Sequence, residues 1–132
     1  MWVRIVLGAG ALINILLGAT ALVAPRSVAE LAHLQALNQA GVGEIRAFYG
    51  AFVLAIGAVI LHALRRPQPG REWLRCLGIL FLGLCCGRLV SALLDGLETY
   101  TLAVLTVELL FAGLLLYGAE ALRPSDAPPT QP

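Results

Sequence analysis

The chain contains no lysine; all nine of its basic residues are arginine. Charge of either sign is scarce, at 13% of residues, and the formal net charge is +1. No basic run lies outside the edges of the apolar segments, which removes the electrostatic footprint of a nucleic-acid partner. Cysteine is sparse as well. Cys76, Cys85 and Cys86 form an odd set within one apolar segment, with neither CxxC nor metal-ligand spacing, so they read as small packing residues. No nucleophile stands with a base in reach, and no phosphate loop is present. Those absences point away from a metal, a cofactor and, less decisively, an enzyme.

What the chain has is apolar length. Hydrophobic residues make up 59% of its 132 positions, and mean hydropathy is +0.85, well above globular usage. A hydrocarbon core of ~30 Å takes ~20 helical residues to cross. Four segments qualify, at about 4–24, 44–64, 73–95 and 99–122. The predicted fold is an all-α integral membrane four-helix bundle occupying 1–122, with the bilayer as its first partner. Residues 123–132, rich in proline and polar side chains, are predicted to be disordered. The first segment also fits a secretory signal peptide, with Arg4 ahead of an apolar run and the small residues of "GATALVAP" behind it. Asn14 argues for a retained span instead, because Gly10, Gly18 and Ala21 share its helical face and make a packing stripe for another helix.

Arginine reports the topology, since cytoplasmic loops carry the basic excess. Arg65, Arg66, Arg71 and Arg75 flank the second connection, and Arg4 and Arg123 fall on the same side, against Arg26 and Arg46 opposite. The expected arrangement is a multi-pass plasma-membrane protein with both termini cytoplasmic. On the outer side, Pro25 to Gly43 carries a short amphipathic interfacial helix: Ser27 and Glu30 are spaced as a capping box, and Val28, Leu31, Leu34 and Leu37 recur at every third position. An irregular loop is the alternative, because an i+3 stripe drifts around an α-helix. The second connection, "RRPQPGRE", reads as a compact turn, and the third, near Gly96 to Glu98, as a tight hairpin.

Inside this apolar chain sit a few charges. Counting outward from residue 98, Arg88 and Glu108 are each ten residues away and lie at one depth, so the two charges can meet. A charge at a helix centre costs ~2.5–3.5 kcal/mol on the insertion scale. Arg88 alone can snorkel to the headgroups, whereas the short arm of Glu108 requires a partner, a proton or a wet cavity. Arg88, Ser91 and Asp95 share one helical face; Arg46, Tyr49, Gly50, Val53 and Gly57 share another. Counting from residue 68 or 69 brings Tyr49 opposite Arg88, Arg46 opposite Ser91, and Glu44 near the depth of Asp95, with Asn14 at about the same level. The candidate polar layer is therefore Asn14, Glu44, Arg46, Tyr49, Arg88, Ser91, Asp95 and Glu108. Glu44 alternatively marks a helix start and Asp95 a turn. "GLCCG", Gly83 to Gly87, has the GxxxG spacing of close helix packing, expected within the bundle.

"GEIRAFYGAF" at Gly43 to Phe52, "GRLVSALLDG" at Gly87 to Gly96 and "VELLFAG" at Val107 to Gly113 together resemble the bacterial four-helix integral membrane proteins of domain-of-unknown-function family 4345. The likeness runs from the first segment to about residue 120. The family pattern Glu-x-Arg-Ala-x-Tyr-Gly-Gly falls on Glu44, Arg46, Ala47, Tyr49 and Gly50, with Ala51 in place of the second glycine. The resemblance implies a bundle in the bacterial plasma membrane and supplies no activity. A looser likeness, to DoxX-type small membrane proteins, is at the level of fold only. Three functions stay open: an outward-facing polar layer that binds a small amphiphile or supports a membrane complex; a membrane-embedded enzyme or proton-coupled transporter using Glu108 with Arg88 and Tyr49; and a purely structural accessory subunit.

Overall fold

The computed structural model describes residues 2–122, so the proline-rich tail and Arg123 lie outside the described residues. Within them the protein is all-α, and four helical stretches are long and apolar enough to cross a membrane: Trp2–Val23, Gln39–Arg65, Gln68–Leu94 and Thr99–Ala121. The chain forms two compact units that divide between Leu64 and Arg65.

In the first unit, α1 (Trp2–Val23) stops where the sequence forbids continuation. Pro25 disfavours helical geometry at the residue before it, and Ala24 sits at φ −123°, ψ 64°. Pro25 then opens α2 (Pro25–Leu31), where its missing N–H costs nothing at the first helical position. The connection thus carries a short helix, which ends before Leu34 and Leu37. The predicted capping box is absent: Ala24 is the N-cap and no side chain caps the helix, because proline at the first position moves the start two residues ahead of Ser27. At its other end, the Leu34 N–H donates to the Ala29 carbonyl at 2.8 Å and the His33 N–H to the Glu30 carbonyl at 3.1 Å. His33 is left-handed at φ 56°. This is a Schellman stop, and it breaks the i+3 stripe. Val28 is buried, while Leu31, Leu34 and Leu37 are exposed.

Asn38 starts the next helix, its Oδ1 accepting from the Gly41 N–H at 2.9 Å. That cap explains why the second span begins at Gln39 rather than near 44. The helix runs through α3 (Gln39–Ile45), a π-helical stretch Arg46–Phe52, and α4 (Val53–Arg65). Against it α1 packs backbone to backbone. A Cβ on Gly18 would lie 2.6 Å from the Leu54 nitrogen and 2.7 Å from the Gly50 oxygen, and one on Gly57 would lie 2.5 Å from the Ala11 oxygen. Gly18 and Ala21 are buried, in keeping with the stripe read around Asn14. Leu7, Ala11, Ile60 and Ala63 are fully buried in the same unit. The Arg4 guanidinium donates to the Leu64 carbonyl at the C-terminal end of α4, where a cation is favourably placed.

In the second unit, α5 (Pro67–Leu94) and α6 (Thr99–Ala121) form an antiparallel hairpin. The expected turn over "RRPQPGRE" is corrected. Pro67 occupies the first helical position of α5, and the Gly70 N–H already donates to the Arg66 carbonyl at 2.8 Å; prolines that read as punctuation are tolerated in a helix's first turn. The α5–α6 turn is closed by Gly96 at φ +100°, a left-handed position that suits glycine. The helix seam carries Leu74, Cys85, Ala112, Leu115 and Ala119, all buried, with Phe81 edge-on to Phe111 at 5.0 Å. Gly78 meets Leu116, where a Cβ would lie 2.7 Å from Cγ. Within the α5–α6 hairpin "GLCCG" makes no close approach: nothing lies within 4 Å of a Cβ at Gly83 or Gly87. The seam recurs through Gly78, Phe81, Cys85 and Arg88 at helical spacing, which turns Gly83 and Gly87 to another face. Of the cysteines only Cys85 packs; Cys76 and Cys86 are exposed.

The glycine contacts make an asymmetric prediction. Gly18→Val drives a side chain into fixed backbone and is expected to cost at least roughly 1–3 kcal/mol. Gly83→Ala has open space and gains about 0.5–1 kcal/mol of helix propensity. Detergent-solubilised unfolding followed by helical circular dichroism reads both.

Candidate functional site

The charges inside the spans resolve first in the second unit. Arg88 Nε donates to Glu108 Oε2 at 2.6 Å and Arg88 Nη2 to Oε1 at 2.9 Å. The pairing expected from the hairpin count is present, and it is bidentate, the strongest geometry a guanidinium and a carboxylate adopt. Glu108 is the more enclosed partner, its side chain 12% exposed against 33% for Arg88. Both carboxylate oxygens are engaged, so the pair answers the question posed by the short glutamate arm.

One turn further along α5, Ser91 Oγ donates to Asp95 Oδ2 at 2.9 Å. Asp95 is the C-cap of the helix, with its N–H on the Ser91 carbonyl at 2.7 Å. A carboxylate there faces the negative end of the helix dipole, and the serine hydroxyl is what compensates it. The turn alternative for Asp95 is therefore realised together with its contact to Ser91.

A second charge cluster was missed. Arg75 Nη2 donates to Glu120 Oε1 at 2.6 Å, Arg71 Nη2 approaches the same oxygen at 3.5 Å, and Glu72 stands 3.7–3.9 Å from both arginines. Arg71 and Arg75 had been read for topology alone. The signal was available, because Arg75 and Glu120 are nearly equidistant from the same turn that relates Arg88 to Glu108.

The first unit holds the other four candidates. Asn14 is half-buried and its Nδ2 donates to the Gly10 carbonyl at 2.8 Å, one turn back on its own helix. Glu44 is exposed and lies in the second turn of α3, so it does not mark the helix start, which Asn38 caps. Arg46 begins the π-helical stretch and its Nε donates across to the Leu22 carbonyl at 3.1 Å. Gly50 meets Leu22 too, while Gly57 meets Ala11 and Ile15, so these three share the side that faces α1. Tyr49 is half-buried with its ring edge toward Phe48 at 5.8 Å. The π-helical stretch covers the heart of "GEIRAFYGAF". Such stretches concentrate at functional sites, and no periodicity rule finds them.

Where α1, α2 and α3 meet, Arg46 and Arg26 line a hollow of about 330 Å³. Val23, Ala24, Pro25 and Val42 supply its apolar walls, and Ser27 and Gln39 add polar groups; no carboxylate lines it. A second hollow of about 530 Å³ shares Arg26 and adds Glu30, Gln35, Leu34 and Leu37. Arg26, read from sequence as a topology marker, lines both hollows.

Four apolar helical spans with a satisfied internal ion pair define a multi-pass α-helical membrane protein. The model of one family, described as "Domain of unknown function (DUF4345)", matches residues 2–119, and the chain belongs to that family. Comparison with curated proteins and with solved structures gives no match.

The pair separates structure from function by mutation. Glu108→Ala leaves an unpaired guanidinium in an apolar span and is expected to cost about 2.5–3.5 kcal/mol. Arg88→Leu with Glu108→Leu removes both charges and should recover most of that loss, as apolar replacements of buried pairs often do. Unfolding midpoints of the single and double variants in detergent give the comparison.

Proposed function

We propose that this chain is a non-enzymatic multi-pass protein of the plasma membrane, both termini cytoplasmic, whose outer end holds a small amphiphile with an anionic head. The observation that carries the proposal is the hollow at the end of α1. Arg26 and Arg46 both line it, and neither has a carboxylate within 4.0 Å among the described residues. The Arg46 Nε bond to Leu22 fixes the guanidinium while its terminal nitrogens remain the natural donors for an anion. Apolar walls beside two cations, one of them held by a backbone carbonyl, are the ordinary composition of an amphiphile site.

The polar layer contributes unequally to this function. Arg46, with Arg26, is the anion-holding member; Asn14 is spent within α1 and Ser91 with Asp95 at the end of α5, while Arg88 with Glu108 joins α5 to α6. A transporter or enzyme working through Glu108 is less well supported, because both of its oxygens are committed to Arg88. The basic residues supply the orientation: the excess at Arg4, Arg65, Arg66, Arg71 and Arg75 belongs inside, which puts the hollow at the outer face.

Native mass spectrometry of the full chain tests the proposal. The wild type is expected to retain a co-purifying amphiphile that Arg46→Gln loses, while the Arg88→Leu, Glu108→Leu double variant keeps it. Retention by Arg46→Gln at the wild-type level contradicts the assignment.

A further inference from the structure

Building on the amphiphile site just described, we infer that its ligand is a zwitterionic aminophospholipid, with the phosphodiester on Arg26 and Arg46 and the ammonium at Glu30. The inference rests on the order of charges along two adjoining hollows. The smaller is lined by Arg26 and Arg46 without a carboxylate. The larger shares Arg26 with it and carries Glu30 as its one acidic group. The sequence of charge across them is cation, cation, anion, and a phosphoethanolamine head presents the complement, an anionic phosphate joined by two carbons to a primary ammonium.

The side chains of Arg26 and Glu30 are not spent on each other. Arg26 and Glu30 are four residues apart on α2, on one face and about 6 Å along the axis. They nevertheless form no ion pair within 4.0 Å, in contrast to the arginine and glutamate pairs of the second unit. Pro25 sets the start of α2 and the left-handed His33 its stop, so both residues lie within one short helix. Gln35, beside Glu30, adds a carbonyl acceptor of the kind a primary ammonium uses. The tails have a path: Val23 and Leu37, which line one hollow each, are 85% and 88% exposed. An anionic lipid without an amine satisfies the arginines but leaves Glu30 opposed by nothing, and a free headgroup compound forgoes the apolar contacts.

The test is competitive native mass spectrometry of the detergent-solubilised full chain with phosphatidylethanolamine, phosphatidylglycerol and phosphatidylcholine of matched acyl chains. The wild type should prefer phosphatidylethanolamine over each of the others by roughly threefold or more, the range one net hydrogen bond supports. Glu30→Gln should bring the ethanolamine-to-glycerol ratio to about one at unchanged total lipid, again on the value of a single bond. Soluble glycerophosphoethanolamine at equal concentration should displace nothing; displacement by it would reassign the site to a free headgroup compound. Equal wild-type binding of all three lipids, with loss of all of them in Arg26→Gln, Arg46→Gln, would overturn the amine assignment and leave the amphiphile site standing. Undiminished binding by that folded double variant would remove the site itself. The phosphatidylcholine arm needs no mutation: its trimethylated amine donates no hydrogen bond, so preference for it over phosphatidylethanolamine also overturns the inference.

Discussion

Hydrocarbon offers a polar group no water, so each one that enters a span must be answered from within the chain. That constraint orders this protein. Asn14, Thr20 and Thr106 each return a hydrogen bond to a carbonyl one turn back on their own helix. Arg88 and Glu108 answer each other, and Arg4 is answered by the exposed carbonyl at the end of α4. Once these groups are satisfied, what remains to hold the helices is packing. In lipid, packing is improved by close backbone approach rather than by apolar bulk. Gly18, Gly50 and Gly57 therefore define the first unit as firmly as the ion pair defines the second.

The contrast between satisfied and available charge gives the molecule its polarity. Along the α5–α6 hairpin, arginines at both ends meet glutamates at hydrogen-bonding distance. At the end of α1 the arginines meet no carboxylate, and one of them is oriented by a backbone carbonyl instead. The first pattern makes a closed structural element. The second leaves donors positioned beside apolar surface, which is the composition from which an amphiphile site is built. The widening of the helix at Arg46–Phe52 occurs at the same place, and it sets the backbone that carries Arg46.

Much of the fold was legible in sequence because the governing quantities are one-dimensional. Apolar length locates four spans, and equal separation from a short turn pairs Arg88 with Glu108 without reference to any other contact. The same count would have paired Arg75 with Glu120 had those arginines not been assigned wholly to topology. Proline misled at Pro67, because a residue that breaks a helix interior is also at home in its first turn, and the capping-box spacing misled at Ser27, because Pro25 already opens that helix. The stop at His33 was hidden for a different reason: left-handed histidine leaves no compositional mark where glycine would have. The π-helical stretch and the hollow beside it arise from packing between α1 and the second span, and no pattern along one strand of sequence encodes them. Arg26, which lines both hollows, was for the same reason not among the candidates read from sequence.

The central claim is that Arg88 is spent on Glu108 inside the protein while Arg26 and Arg46, at the end of α1, are held for a lipid head. Solid-state magnetic resonance of arginine-labelled protein in phospholipid bilayers measures it directly, through the proximity of each guanidinium to lipid phosphorus. The account predicts close phosphorus contacts at Arg26 and Arg46 and none at Arg88. A phosphorus contact at Arg88, with none at Arg46, would contradict it.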